Sequence, residues 1–254
     1  MRHSISYVLL ITLMVAAASC KTPVVQTGVD LKNISVAGET NPLDSSIVQL
    51  YLPYKNKLDK DMNRVISYSA QEMEKDKPES LLTNFLADLL LEEAAKTDVA
   101  KQEKIVPSVS FFNYGGIRTA LPRGEITVGK VYELMPFENE LVYLELDGNT
   151  MKEFLNYIAR KGGDSIGGVR FKISDGKAVD IKIGGEDFDL NTKYWLVTND
   201  YVAGGGDGLD VLKERLQYVS PGLLIRNLII QHLEEKQKNN ETLVVKLDGR
   251  ISDE

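Results

Sequence analysis

Tyr194-Trp-Leu-Val-Thr-Asn199-Asp-Tyr201-Val-Ala-Gly204-Gly-Gly-Asp207-Gly208 is the stretch that decides how this chain reads. Its first six residues are an apolar, strand-length run, and its last five are a glycine-rich turn built around one carboxylate. Glycines permit positive φ, so the chain can bend sharply there and present Asp207 beyond the strand end. Three earlier segments have a related character: Asn113-Tyr-Gly-Gly-Ile-Arg118, Pro136-Phe-Glu-Asn139 and Ser165-Ile-Gly-Gly168. The glycine turn is neither a Walker loop, which ends in Gly-Lys-Ser/Thr, nor the dinucleotide fingerprint.

Around these segments the hydrophobic spacing alternates irregularly between helix and strand. Residues 47–62 carry Ile47, Leu50, Tyr51, Tyr54, Leu58 and Met62 at mixed helical spacing, and 65–73 reads as a strand. Ser80 is a predicted N-cap for a helix over 80–95, whose apolar face holds Leu81, Phe85, Leu89 and Leu90. Residues 106–113 read as a buried strand running into Gly115 and Gly116, 126–134 as a short helix or turn, and 141–146 as a strand. Asp147-Gly148 signals a turn, with a helix from Thr150 to Arg160. Strands over 169–173 and 178–183 flank Asp175-Gly176 as a hairpin, and Pro221 is expected to start a helix running over 223–235. Several strands joined by hairpins among scattered helices predict an α+β class, with mixed or antiparallel strands packed with helices in one domain.

Taken in order, the four segments resemble the C-terminal, substrate-binding domain of the 5'-nucleotidases, over roughly residues 65–251. The resemblance implies that Asn113, Gly115, Gly116 and Arg118 contact a nucleotide, with the glycines letting backbone approach the ligand and Arg118 offering a fixed fork of donors. It implies that Phe137 and Tyr201 stack on the two faces of a base, an interaction worth ~1–3 kcal/mol per base. Asn139 is implied to bond a ring nitrogen, Asp207 to accept from ribose hydroxyls, and Gly168 to belong to the same site. Without the resemblance, Phe137 and Tyr201 read as core residues and Arg118 as a solvated side chain on a tight turn. Asp207 in the same bare reading closes its turn on its own backbone. Where some relatives place further arginines ahead of the 80–95 helix, this chain has Lys75, Lys77 and Glu79. The resemblance therefore supports a base and ribose site better than a phosphate site.

The catalytic half of that family is missing from this sequence. Its hydrolysis rests on two metals held by aspartate, asparagine and histidine, which activate water and neutralise phosphoryl oxygens. The chain has two histidines, His3 near the start and His232 in the late helix, where it reads as a surface or partly buried residue. No Asp-x-His and no Gly-Asn-His-Asp/Glu occurs. No cofactor is expected in this chain; a divalent metal pair is expected only on a separate metallophosphatase partner.

Residues 1–19 read as an export leader: Arg2 and His3, an apolar run too short for a bilayer span of roughly 20 residues, then Ala17-Ala18-Ser19-Cys20. Small residues before the sole cysteine resemble a lipobox, which makes Cys20 the lipidation site; the plainer reading is a leader with an incidental cysteine. Residues 20–46 then form a polar tether and 47–254 the domain. Lys21, rather than aspartate, follows Cys20, which leans toward the periplasmic side of the outer membrane. A net charge of −7 with no basic stripe argues against a nucleic-acid polymer as partner. Two functions follow: the nucleotide- or nucleoside-binding subunit of a split 5'-nucleotidase, or a stand-alone binding lipoprotein of the cell envelope.

Overall fold

Two apolar runs, Leu141–Leu146 and Tyr194–Asn199, are strands over their whole predicted length and lie side by side in the middle of a five-stranded sheet. The structure, a computed structural model, describes residues 32–33 and 44–253; the predicted leader, Cys20 and nearly all of the tether lie outside them. The elements begin with α1 (Ser45–Met62), β1 (Val65–Ser69), α2 (Leu81–Lys96), α3 (Asp98–Gln102), β2 (Val109–Phe112) and β3 (Gly124–Thr127). There follow α4 (Val128–Leu134), β4 (Leu141–Leu146), α5 (Gly148–Arg160), β5 (Ser165–Gly167), β6 (Val169–Ser174) and β7 (Lys177–Ile183). The last are β8 (Glu186–Asp187), β9 (Tyr194–Asn199), α6 (Asp200–Ala203), β10 (Gln217–Val219), α7 (Ile225–Lys238) and β11 (Ile251–Asp253).

The central sheet has the order β10-β4-β9-β2-β5, a second sheet the order β11-β6-β7-β8, and β1 pairs with β3. Only β2–β9 and β11–β6 are parallel pairs among these strands; the rest are antiparallel. This is the α+β arrangement that the mixed pattern predicts.

Central strands that are mostly apolar on both faces need cover on both faces. Here each face has its own core. Phe112, Leu141, Tyr143 and Val197 pack with α2 and α7 residues such as Leu86, Leu90, Ile229 and Leu233. Val109, Phe111, Val142, Leu144 and Leu196 point the other way, onto Phe154, Leu155 and Ile158 of α5 and Phe171 of β6. Successive residues of one strand thus enter different cores, the period-2 consequence of the pleat.

Local chemistry sets most of the boundaries. Ser80 caps α2 in a reciprocal box: its hydroxyl accepts from Thr83 N–H (3.1 Å) while Thr83 Oγ1 accepts from Ser80 N–H (2.8 Å). Asp147, read as part of a turn, is the N-cap of α5, accepting from Thr150 N–H at 2.8 Å. Asp175 and Gly176 both have positive φ, as a tight hairpin between twisted strands requires. Pro221 does not open α7. That helix begins at Ile225 behind Leu224, which makes no side-chain cap. The strand expected over 65–73 stops at Ser69. Helix α1 starts at Ser45, inside the predicted tether, carries Pro53 within it and has no buried residue. The compact unit Tyr51–Glu254 begins within α1. No described helix is long and apolar enough to cross a membrane.

Candidate functional site

Strand direction brings the predicted residues together. β2 and β9 are parallel neighbours, so the chain leaves both at the same edge of the sheet: Asn113 follows Phe112, and Asn199 ends β9. β4 is antiparallel to β9, with Leu141 opposite Asn199, so the loop entering β4 arrives at that edge too. Asn113, Gly115, Gly116, Arg118, Phe137, Asn139, Tyr201 and Asp207 line one pocket there, of about 330 Å³. That volume lies within the usual range for a small-molecule site.

The two aromatic rings do not belong to the core. Phe137 is 41% exposed and Tyr201 50%. The Tyr201 ring rests on bare backbone: a Cβ added at Gly206 would meet its Cε1 at 2.4 Å. Arg118 extends beside Phe137, its guanidinium carbon 5.9 Å from the ring centroid, and donates to Gly115 O at 3.2 Å. The Asn139 side-chain amide forms no hydrogen bond among the described residues, while its backbone carbonyl accepts from Ile225 N–H at 3.0 Å.

A thread of polar side chains ties the loops to each other. Asn199 caps α6 through its Oδ1 (2.8 Å to Val202 N) and donates from Nδ2 to Asn113 Oδ1 at 3.1 Å. Asn113 Nδ2 donates to Asp207 Oδ2 at 2.7 Å, and Tyr201 OH donates to Asp207 Oδ1 at 3.0 Å. Tyr157 OH donates to the Asp207 carbonyl at 2.8 Å. Asp207 itself has φ +56°, which an aspartate tolerates far better than a branched residue. Its carboxylate is therefore held by two other segments, not folded back on its own turn as the bare reading has it. Each of its oxygens keeps acceptor capacity for a ligand hydroxyl.

Behind the Asn113–Arg118 loop lies an ionic layer. Lys75, which stands where some relatives have an arginine, donates to Tyr114 O (3.0 Å) and Ile117 O (2.6 Å), under the Tyr114 ring at 4.3 Å. Burial, with the nearby Arg118 charge, lowers its pKa. Glu79 accepts from Asn84 (2.7 Å) and from Gly249 N–H (2.8 Å), so its charge is occupied outside the pocket lining. Asp164 is buried beside the loop. Burial pushes its carboxyl up to about 6, offset in part by the Ser165 and Tyr114 N–H groups and Lys77, with Asp207 adding to the rise.

Gly168 is not in this pocket. β5 runs antiparallel to β2 with Gly167 opposite Ser110, which puts Gly168 beside the start of β2, roughly 13 Å along the strand from Asn113. Its glycine identity has a structural cause: φ is +73° and a Cβ would lie 2.2 Å from Ser108 O. Asn199, Tyr157, Gly206 and Asp164 were not singled out from the sequence. Asn199 lies inside the motif that names Tyr201, but nothing in spacing tells a capping asparagine from one that also braces a neighbour.

Among the described residues, Glu92, Glu93 and His232 bring ligand-type atoms within 4.8 Å of one another. Lys96 already bonds both carboxylates (2.7 and 2.9 Å), and Glu93 pairs with His232 Nδ1 at 2.8 Å. This trio does not fit a two-metal phosphatase centre. His232, read as a surface or partly buried residue, is buried because α7 packs its inner face on α2. A larger groove of about 720 Å³ is lined by Lys152, Arg170, Phe171, Lys172, Ile181 and Lys182, but its cations are bonded to carbonyls or carboxylates.

Comparison with known proteins gives the family. Residues 57–214 match the family described as "5'-nucleotidase, C-terminal domain". The chain belongs to this family. Its similar relatives include a 5'-nucleotidase of Vibrio cholerae, 24% identical over 216 residues, covering 80% of this chain and 38% of that protein. Protein UshA of Yersinia enterocolitica is 29% identical over 199 residues, covering 76% and 35%. Among solved structures, a 5'-nucleotidase precursor from Thermus thermophilus superimposes with a TM-score of 0.66 at 28% identity, over 85% of this chain and 44% of that one. This 5'-nucleotidase C-terminal domain thus spans well under half of the relatives it matches.

Proposed function

We propose that this chain is the nucleotide- or nucleoside-binding subunit of a split 5'-nucleotidase, acting in phosphate-ester hydrolysis with a separate metallophosphatase polypeptide. The observation that carries the reading is one pocket, complete within this chain, that gathers two exposed aromatic rings, a free amide, an arginine and a braced carboxylate. Phe137 and Tyr201 stack on the base, Asn139 bonds its edge, Asp207 accepts from the ribose hydroxyls, and Arg118 reaches toward the ribose or phosphate oxygens. The partner supplies the divalent metal pair and the activated water. This chain holds and orients the leaving nucleoside, and orientation of that kind supplies a large part of an enzyme's rate. A lipid on Cys20 would keep the domain at the periplasmic face of the outer membrane.

A stand-alone binding lipoprotein is the second reading, favoured by the same completeness of the pocket, since binding then needs no partner. Calorimetric titration of the chain from Lys21 onward with adenosine and AMP tests the ligand. Saturable binding that Phe137→Ala weakens by ~1–3 kcal/mol supports the clamp. No heat up to millimolar ligand refutes it. Phosphate release only on mixing with a metallophosphatase chain separates the split enzyme from the lone binder.

A further inference from the structure

Arg226 is buried to 5% exposure in the first turn of α7, a place that suits it poorly. A cation at a helix N-terminus opposes the helix dipole, and a buried guanidinium is costly without a close acid. Its one acidic partner among the described residues, Glu138, is 3.5 Å away and largely solvent-exposed. Its Nε is buried with no hydrogen-bond partner, one of two such side-chain atoms among the described residues. Groups left unsatisfied in this way call for an explanation. The remaining contacts supply it. Nη1 donates to Phe137 O at 3.2 Å and points to Met135 O at 3.5 Å, while the guanidinium lies 4.2 Å from the Tyr132 ring centroid. The fork is thus spent on both sides of Pro136, the loop that carries Phe137.

We propose that Arg226 is a positioning residue that fixes the backbone of the Phe137 loop and thereby sets one wall of the base site. The proposal rests on the reading of that pocket as a base site. Asn139 is secured separately by Ile225 N–H, so Arg226 acts on the stacking ring and leaves the amide in place.

The test uses Arg226→Met and Arg226→Lys in the full chain, with two readouts. Hydrogen exchange of the ligand-free chain should show residues 135–138 opening roughly tenfold faster in Arg226→Met, with β4 and β9 unchanged, and a smaller effect in Arg226→Lys, which keeps a donor. Adenosine affinity should fall about tenfold in Arg226→Met, but by less than about twofold when Phe137 is already alanine, because the two changes act through one ring. Unchanged loop exchange overturns the proposal. So does an affinity loss of equal size in the Phe137→Ala background, which marks a general structural role. If the wild-type chain does not bind adenosine, the base-site reading fails, and the exchange experiment still decides whether Arg226 holds the loop. Should Arg226→Met not fold, Arg226→Lys carries both arms with the same signs.

Discussion

Replacing Asp164 by asparagine should change how the stability of this chain depends on pH. Burial raises the folded-state pKa of this carboxyl from about 3.8 to about 6. Lys77, Lys75, Asp207, Tyr114 and Tyr157 are the charged or titratable groups that interact with it. Between those two pH values the folded chain holds a proton that the unfolded chain has released, so stability falls as pH rises through that window and then levels off. At ~1.4 kcal/mol per pH unit, the gap amounts to about 3 kcal/mol. Asparagine is neutral throughout and still offers an oxygen to Ser165 N–H, which now donates at 2.8 Å. Losing the other acceptor costs about 1 kcal/mol, leaving Asp164→Asn more stable than wild type by about 2 kcal/mol at pH 7.5. Below pH 4 that advantage disappears. Urea unfolding of both chains from pH 4 to 7.5 measures it, because the other titrating groups are common to both and cancel in the difference. Parallel stability curves would refute the argument, as would a variant less stable at every pH.

Three further outcomes follow from the site and the core. Tyr201→Phe keeps the ring but removes the hydroxyl that donates to Asp207 Oδ1 and accepts from Asp207 N–H, so titration should show a two- to fivefold weaker riboside and a smaller loss for the 2'-deoxyriboside, at roughly 0.5–1 kcal/mol for the lost brace on the carboxylate. Gly206→Ala places a methyl where the Tyr201 ring lies; ligand affinity should drop while the melting temperature stays near wild type, and unchanged affinity would show that the ring tolerates displacement. Phe111→Ala removes a fully buried ring packed edge-on against Phe154 at 5.1 Å, and denaturant unfolding should show a loss of about 3–5 kcal/mol.

Much of the fold was legible where one physical signal dominated. Runs 141–146 and 194–199 are mostly apolar because both faces of the central sheet are covered, and that density marks them as strands despite Glu145, Thr198 and Asn199. Ser80 was readable as a cap because its chemistry is local. Short edge strands such as β5, β10 and β11 carry three residues each, too few for any period to register. The start of α7 has no capping side chain, and Pro221 lies in the approach to it. The pocket residues came from the family resemblance, since an exposed Phe137 and a core phenylalanine look alike in sequence. Gly168 shows the limit: a glycine demanded by a close backbone approach is indistinguishable, as a letter, from one demanded by a ligand. The Arg226 and Asp164 contacts join residues far apart in the chain, and no spacing rule reaches that far.

The thread from Asn199 through Asn113 to Asp207 and Tyr201 has a kinetic consequence. Every link is made between protein groups, so the cavity has its shape before any ligand arrives, and little ordering remains to be done on binding. Entry should then be governed by diffusion into an already open slot and be similar for all nucleosides. Preference among them would be expressed in residence time, as differences in how long each base stays between the rings.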